Sequence, residues 1–261
     1  MLKGIVIFYS FLILFNSHSI CFADIKETQI WLKKHGRIYS LEELENLKEL
    51  YLYKTKVSNI NLIIYLEKLE YLNLNSTKVS DITPLKKLKK LKYLYLYNTQ
   101  VSDIAPLKNL KYLKEIDLTS TEILDISPLK NMKNLKWLDI SWTKFSNISP
   151  LKNLINLKYL NLYHSQVSAI SPLKDLINLK HLFLSRTKIT DISPLKNLKN
   201  LEKLTLGWLK IKDLNPLKEL KKLRKLYFSK DQFTFYRDQI NELKKVLPKC
   251  EIKEVLIEVG L

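Results

Sequence analysis

The chain has 261 residues, 46% hydrophobic and 27% charged, and its 44 Lys and Arg outnumber 26 Asp and Glu for a formal charge of +18. That composition supplies a sizeable core and excludes a disordered or collagen-like chain. Four glycines leave little material for a phosphate loop, and no Ser/His/Asp set or metal-spaced cluster is present, so no catalytic residue, cofactor or metal ligand is assigned.

The first element, MLKGIVIFYSFLILF, carries one lysine and then an apolar run from Ile5 to Phe15, followed by NSHSICFA and the acidic Asp24. It predicts a secretory signal peptide over residues 1–23, cut near Ala23, because the run is too short for an ordinary membrane span. The protein is then expected to be secreted, or held in the periplasm or cell envelope. A retained anchor helix is the alternative, since Lys3 is a thin charged region and Cys21 is an imperfect residue before the cut. Lipoprotein processing at Cys21 would need small residues where His18, Ser19 and Ile20 stand. Without the signal, Cys250 is the sole cysteine, no intramolecular disulfide can form, and the formal charge becomes +17.

Residues 24–46 predict an N-terminal cap, with a short amphipathic helix around Ile25 to Lys34, a stop at His35-Gly36, and LEELENL leading onward. From there a period of 22 governs the chain. Repeats start at Leu47, Leu69, Leu91, Leu113, Leu135, Leu157, Leu179 and Leu201, filling residues 47–222, and a truncated ninth begins at Leu223. Their consensus is LxxLxLxxTxVSDIxPLKxLxx, and the fourth copy, LKEIDLTSTEILDISPLKNMKN, shows how little it drifts. Alternation at positions 3 to 7 predicts a strand in each repeat, and stacked strands form a parallel sheet with neighbours about 4.8 Å apart. Apolar residues at positions 1, 4, 6, 11, 14, 17 and 20 fill the core. Ser-Pro at positions 15 and 16, as in Ser127-Pro128, reads as a cap and then a proline in the first turn of a short helix.

The expected fold is an α/β leucine-rich-repeat solenoid, a curved rod with a concave parallel sheet and short helices or 3-10 turns on the convex side. The first repeat has Leu62 where proline belongs, as suits a terminal copy. Residues 223–261 predict the partial repeat and a C-terminal cap, in which Tyr236, Ile240, Leu243 and Leu247 share one helix face, Pro248 ends the helix, and CEIKEVLIEV forms a last strand.

Segments such as DISPLKNLKNL, at 191–201, resemble those of internalin-type bacterial proteins. The resemblance runs from Leu47 to about Gln232 and implies, beyond the fold, binding of host surface proteins in an adhesion or virulence role. One departure stands out. Where that family usually carries asparagine at position 9, this chain has Thr55, Thr77, Thr99, Thr121, Thr143, Ser165 and Thr187, so a ladder of hydroxyls is expected in its place. Leu209 interrupts it. An intracellular scaffold, resembling phosphatase regulators with 22-residue repeats, is the alternative if residues 1–23 are not a signal.

Leucine repeats on the core side of each strand while the other side varies and favours rings. Position 3 carries Tyr71, Tyr93, Trp137, Tyr159 and His181; position 5 carries Tyr95, Asp117, Asp139 and Phe183; position 7 carries Tyr97 and Tyr163; position 8 carries Trp142 and Trp208. These residue types dominate binding hot spots, so these thirteen residues are expected to form an exposed face and its edge for a protein ligand, with the chain a monomer. A structural tyrosine ladder is the plainer reading. Asp117 and Asp139 start about 5 Å apart on adjacent strands, which suits a basic ligand group; a glycosidase pair is disfavoured because an open sheet offers no pocket to raise one carboxyl's pKa.

The lysines fall elsewhere. Position 18 is lysine from Lys86 to Lys218 and position 2 adds Lys92, Lys114, Lys136, Lys158, Lys180 and Arg224, forming stripes on the convex side and its margin. Such a stripe is ordinarily a solvated face, and its functional alternative is attraction to an anionic surface. No nucleic-acid motif accompanies it. His164 and His181 sit at different strand positions of adjacent repeats, too far apart to share a metal simply.

Overall fold

The computed structural model describes residues 22–254, so the predicted signal peptide lies almost wholly outside the described residues, as does the end of the predicted last strand. The N-terminal cap is a helix α1 (Phe22–Lys34) followed by a short α2 (Leu41–Glu45). Gly36, at φ +75°, ends the first, a left-handed conformation that glycine adopts without strain. Ser40 starts the second through a capping box: its hydroxyl accepts the Glu43 N–H at 3.1 Å and the Glu43 carboxylate accepts its N–H at 2.6 Å. The cap seals the array by burying Ile25, Leu32 and Leu44 against the first repeat. No helix among the described residues is long and apolar enough to cross a membrane.

Nine repeat strands follow: β1 (Glu49–Tyr51), β2 (Tyr71–Asn73), β3 (Tyr93–Tyr95), β4 (Glu115–Asp117), β5 (Trp137–Asp139), β6 (Tyr159–Asn161), β7 (His181–Phe183), β8 (Lys203–Thr205) and β9 (Lys225–Phe228). The C-terminal cap adds α3 (Lys230–Phe235), α4 (Arg237–Val246) and β10 (Glu251–Glu254). All ten strands pair in parallel, in sequence order, and in the repeat register, for example Tyr71 beside Tyr93 and Asp117 beside Asp139. The leucines behind them are 0 to 1% exposed through the array, one continuous core.

Three local expectations change. The strands span positions 3 to 5 rather than 3 to 7, because position 8 turns left-handed in all eight full repeats, from Lys54 (φ 56°) through Trp142 (φ 55°) to Trp208 (φ 62°). The ladder still continues past each strand, as the N–H groups of Leu52 and Lys54 bond the carbonyls of Asn73 and Asn75 at 2.8 Å. The convex segments are 3-10 turns such as Ser127–Asn131, and the Ser-Pro serine is not their cap. The acceptor is the residue at position 13, as when Asp125 Oδ1 takes the Ser127 N–H at 2.8 Å. In the sixth repeat Ala169 stands there, and the turn shrinks to Ser171–Leu173.

The position-9 hydroxyls do not climb from repeat to repeat either. Each donates to the position-6 carbonyl of its own repeat, from Thr55 to Leu52 (2.6 Å) through Thr187 to Leu184 (2.7 Å), closing the left-handed turn between them. Where Leu209 offers no hydroxyl, Gln232 of α3 reaches back and donates to the carbonyls of Leu206 (3.0 Å) and Leu209 (2.6 Å). A true ladder between repeats lies elsewhere. Asn134, Asn156, Asn178 and Asn200, at position 22, each donate to the position-21 carbonyl of the preceding repeat at 2.7 to 2.9 Å.

Candidate protein-binding face

The concave surface is built from positions 3 and 5 of each strand, whose side chains point away from the leucine core. At its N-terminal end Tyr51, Tyr71, Tyr93 and Tyr95 form one patch. Tyr71 is its hub, with ring centroids 4.8 Å from Tyr51, 6.1 Å from Tyr93 and 5.3 Å from Tyr95. The Tyr95 hydroxyl donates to Glu115 at 2.8 Å, and burial followed by that bond raises its pKa. Tyr51, absent from the thirteen predicted residues although it stands in the position-5 column, donates to Glu49 at 2.7 Å, which pushes its pKa up to about 12. Tyr97 stands beyond the strand end and is 41% exposed.

A second patch covers the C-terminal half. Trp137 stacks on Tyr159 with centroids 4.8 Å apart and planes 17° from parallel, and Tyr159 also meets Phe183 at 5.1 Å and His181 at 6.2 Å. Burial lowers the His181 pKa, so its imidazole stays neutral to lower pH than an ordinary histidine does. Lys203, whose position-3 place puts it on this face and not among the convex lysines, lies 4.8 Å over the Phe183 ring and 5.6 Å from Tyr227.

Between the patches sit the acidic strand ends. Asp139 is 8% exposed and fully hydrogen-bonded, accepting the Ser141 N–H (3.0 Å), the Ser141 hydroxyl (2.6 Å) and the Asn161 amide (2.8 Å). Its oxygens are thus engaged within the chain, where an outward-facing ligand group was expected. Asp117 accepts the Thr119 N–H at 2.9 Å and also bonds the Thr119 side chain. Burial, reinforced by the charge of Asp139, pushes its pKa up to about 6 despite those bonds. An open sheet was expected to raise no carboxyl's pKa, and burial among its side chains does so at Asp117.

One predicted residue, Tyr163, leaves the face, and two tryptophans hold its edge. Tyr163 is buried to 7% exposure under Trp142, 5.5 Å away. Trp142 and Trp208 stand on the edge of the sheet, where the left-handed turn takes them, at 47% and 37% exposure. Trp142 covers His164 at 4.1 Å, and the Arg186 guanidinium lies 4.3 Å over the Trp208 ring. Arg186 was legible in the position-8 column beside them but carries no weight until its partner is known. Among the described residues no group of three His, Cys, Asp or Glu is placed to hold a metal ion.

On the convex side, part of the charge is neutralised. Lys218 pairs with Glu242 at 2.6 Å and Lys199 with Glu219 at 2.7 Å, while at the margin Lys92 meets Glu70 and Lys180 meets Glu202, each pair in neighbouring repeats of the position-2 column.

Comparison with known proteins agrees with this architecture. The family of leucine-rich repeats, described as two copies per unit, matches residues 45–87, 89–131 and 177–209. Internalin C2 of Listeria monocytogenes is similar at 34% identity and a TM-score of 0.72, over 76% of this chain and 90% of that one. Internalin F of the same organism is similar at 32% identity and a TM-score of 0.69, over 89% of this chain and 75% of that one. The leucine-rich-repeat ectodomain of an Arabidopsis thaliana membrane receptor kinase shares the fold alone, at 19% identity and a TM-score of 0.58, over 70% of this chain and 24% of that one. No curated protein matches the chain in sequence.

Proposed function

The chain belongs to the internalin-like leucine-rich-repeat proteins of bacteria, a family of protein-interaction modules, and we propose that it is exported and binds a protein partner on its concave face, without enzymatic activity. The observation that carries this reading is the division of labour within each strand: the core position repeats as leucine or isoleucine while the outward positions present two ring patches either side of an acidic centre. Rings already held by one another lose little rotamer freedom on binding, which is what an anchoring surface requires. Asp117 and Glu115, left between the patches with fewer internal donors than Asp139, favour a partner that inserts a lysine or arginine there. Recognition of a host surface protein in adhesion or virulence fits the family and this chemistry.

The test is capture of a partner from matched extracellular and cytosolic extracts, comparing the parent with a variant carrying Tyr95→Ala, Trp137→Ala and Tyr159→Ala. Each truncation should cost the partner about 2 kcal/mol while the circular dichroism spectrum stays unchanged. Equal capture by both proteins would remove function from the concave rings, and a partner drawn only from cytosol would count against export.

A further inference from the structure

The edge of the sheet carries a pattern that concave binding does not use. In repeats five to eight, position 8 is Trp142, His164, Arg186 and Trp208, four exposed planar side chains on left-handed backbone. They close into two pairs, the Trp142 and His164 rings tilted at 36° with centroids 4.1 Å apart and the Arg186 guanidinium 4.3 Å over the Trp208 ring. Two residues further on, Lys144, Lys188 and Lys210 form a parallel column, all exposed. That column is held in register by its backbone, as the Lys188 N–H bonds the Val167 carbonyl at 2.8 Å and the Gln166 N–H bonds that of Phe145 at 3.1 Å. No Asp or Glu occurs at positions 7 to 12 of these four repeats. Bulky residues rarely take positive φ, and tryptophan does so here twice although glycine or asparagine would fold the turn with less strain.

At Trp142 this row joins a groove of about 580 Å³ that runs along the same edge towards the N-terminus. Its walls include Ser76, Asn98, Gln100 and Ser120, hydroxyl and amide groups suited to a ligand rich in hydroxyls, together with two cations, Lys56 and Lys78, and one carboxylate, Glu122. From these features we propose that the edge is a second binding surface, for an acidic polysaccharide laid along the solenoid. Its cations meet the acidic groups, the outer faces of Trp142 and Trp208 stack on sugar rings, and the groove hydrogen-bonds the continuing chain. The spacing is regular, about 4.8 Å per repeat, which suits an extended polymer better than a compact head group. Single-stranded nucleic acid fits less well, because the groove beyond Trp142 is lined by hydroxyl and amide groups and offers successive bases no further ring face.

The experiment titrates the full chain with heparin oligosaccharides as the acidic probe, following tryptophan fluorescence at several salt concentrations, with neutral dextran and oligo-dT as competitors. The variant Lys144→Gln, Arg186→Gln, Lys188→Gln should lose most of its affinity, and its slope of log affinity against log salt should fall by about 2 to 3, one counterion per cation removed. A convex control, Lys108→Gln, Lys130→Gln, Lys152→Gln, should bind as the parent does. Trp142→Gly with Trp208→Gly relaxes the backbone, so it should fold and yet bind more weakly at every salt concentration. The proposal fails if the parent does not bind the probe, if the convex control loses as much as the edge variant, if the glycine variant binds unchanged, or if oligo-dT competes as well as heparin. Concave binding is read separately, since none of these substitutions touches the Tyr71 or Tyr159 patches.

Discussion

Replacing Asp117 by asparagine should stabilise the protein at neutral pH and leave it nearly unchanged in acid. In the folded chain the carboxyl titrates at about 6, against an ordinary 3.8, so between those values the folded state holds a proton that the unfolded state has lost. Stability therefore falls as pH rises from 3.8 to 6, and the whole penalty is present above 6. Two pH units at 1.36 kcal/mol each give about 3 kcal/mol. Asparagine keeps an oxygen to accept the Thr119 N–H and carries no charge to desolvate or to set against Asp139. Urea denaturation followed by circular dichroism, for parent and Asp117→Asn at pH 4, 5, 6 and 7.5, should show a gain that grows from near zero to about 3 kcal/mol. A difference independent of pH, or a loss at every pH, would refute the reasoning and make Asp117 an ordinary exposed carboxylate.

Other expectations follow from single contacts. Gln232→Ala removes the partner of two carbonyls and of the Trp208 and Ser229 N–H groups, so it should cost about 3 kcal/mol and speed hydrogen exchange around 206–232, with no change there counting against the cap. Ala169→Asp restores the position-13 acceptor for the Ser171 N–H and should stabilise by about 1 kcal/mol, seen as a higher melting temperature. Cys250 is 9% exposed, and burial pushes its thiol up to about 11, so at pH 8 the native protein should leave it unalkylated while urea exposes it, as read from the mass of its peptide.

Much of the architecture was legible because the repeat restates one pattern eight times. Alternation of Leu94 and Leu96 with Tyr93 and Tyr95 dictates which side of the strand is core, and the 22-residue period places Tyr71 beside Tyr93 in the sheet. The caps were legible in outline from helical spacing, although Tyr236 proves to be the junction between α3 and α4 rather than the first residue of one helix. The role of the position-22 asparagines was not read from the sequence, because their acceptors lie 23 residues away and only the stacking of repeats identifies them.

The sequence by itself determined the solenoid, its core, its parallel register and the columns of rings, since each depends on periodicity within or between neighbouring repeats. Tertiary structure decided which of those columns is a surface. Tyr163 and Asp139 occupy outward positions and are buried, because Trp142 covers the one and Ser141 and Asn161 enclose the other. The same holds for the left-handed turn that carries Trp142 and Trp208 to the edge, and for the desolvation that raises Asp117. Exposure and charge state at a sheet position are set by side chains on the adjoining strands, whose ring packing and rotamers no count of residues along the chain can supply.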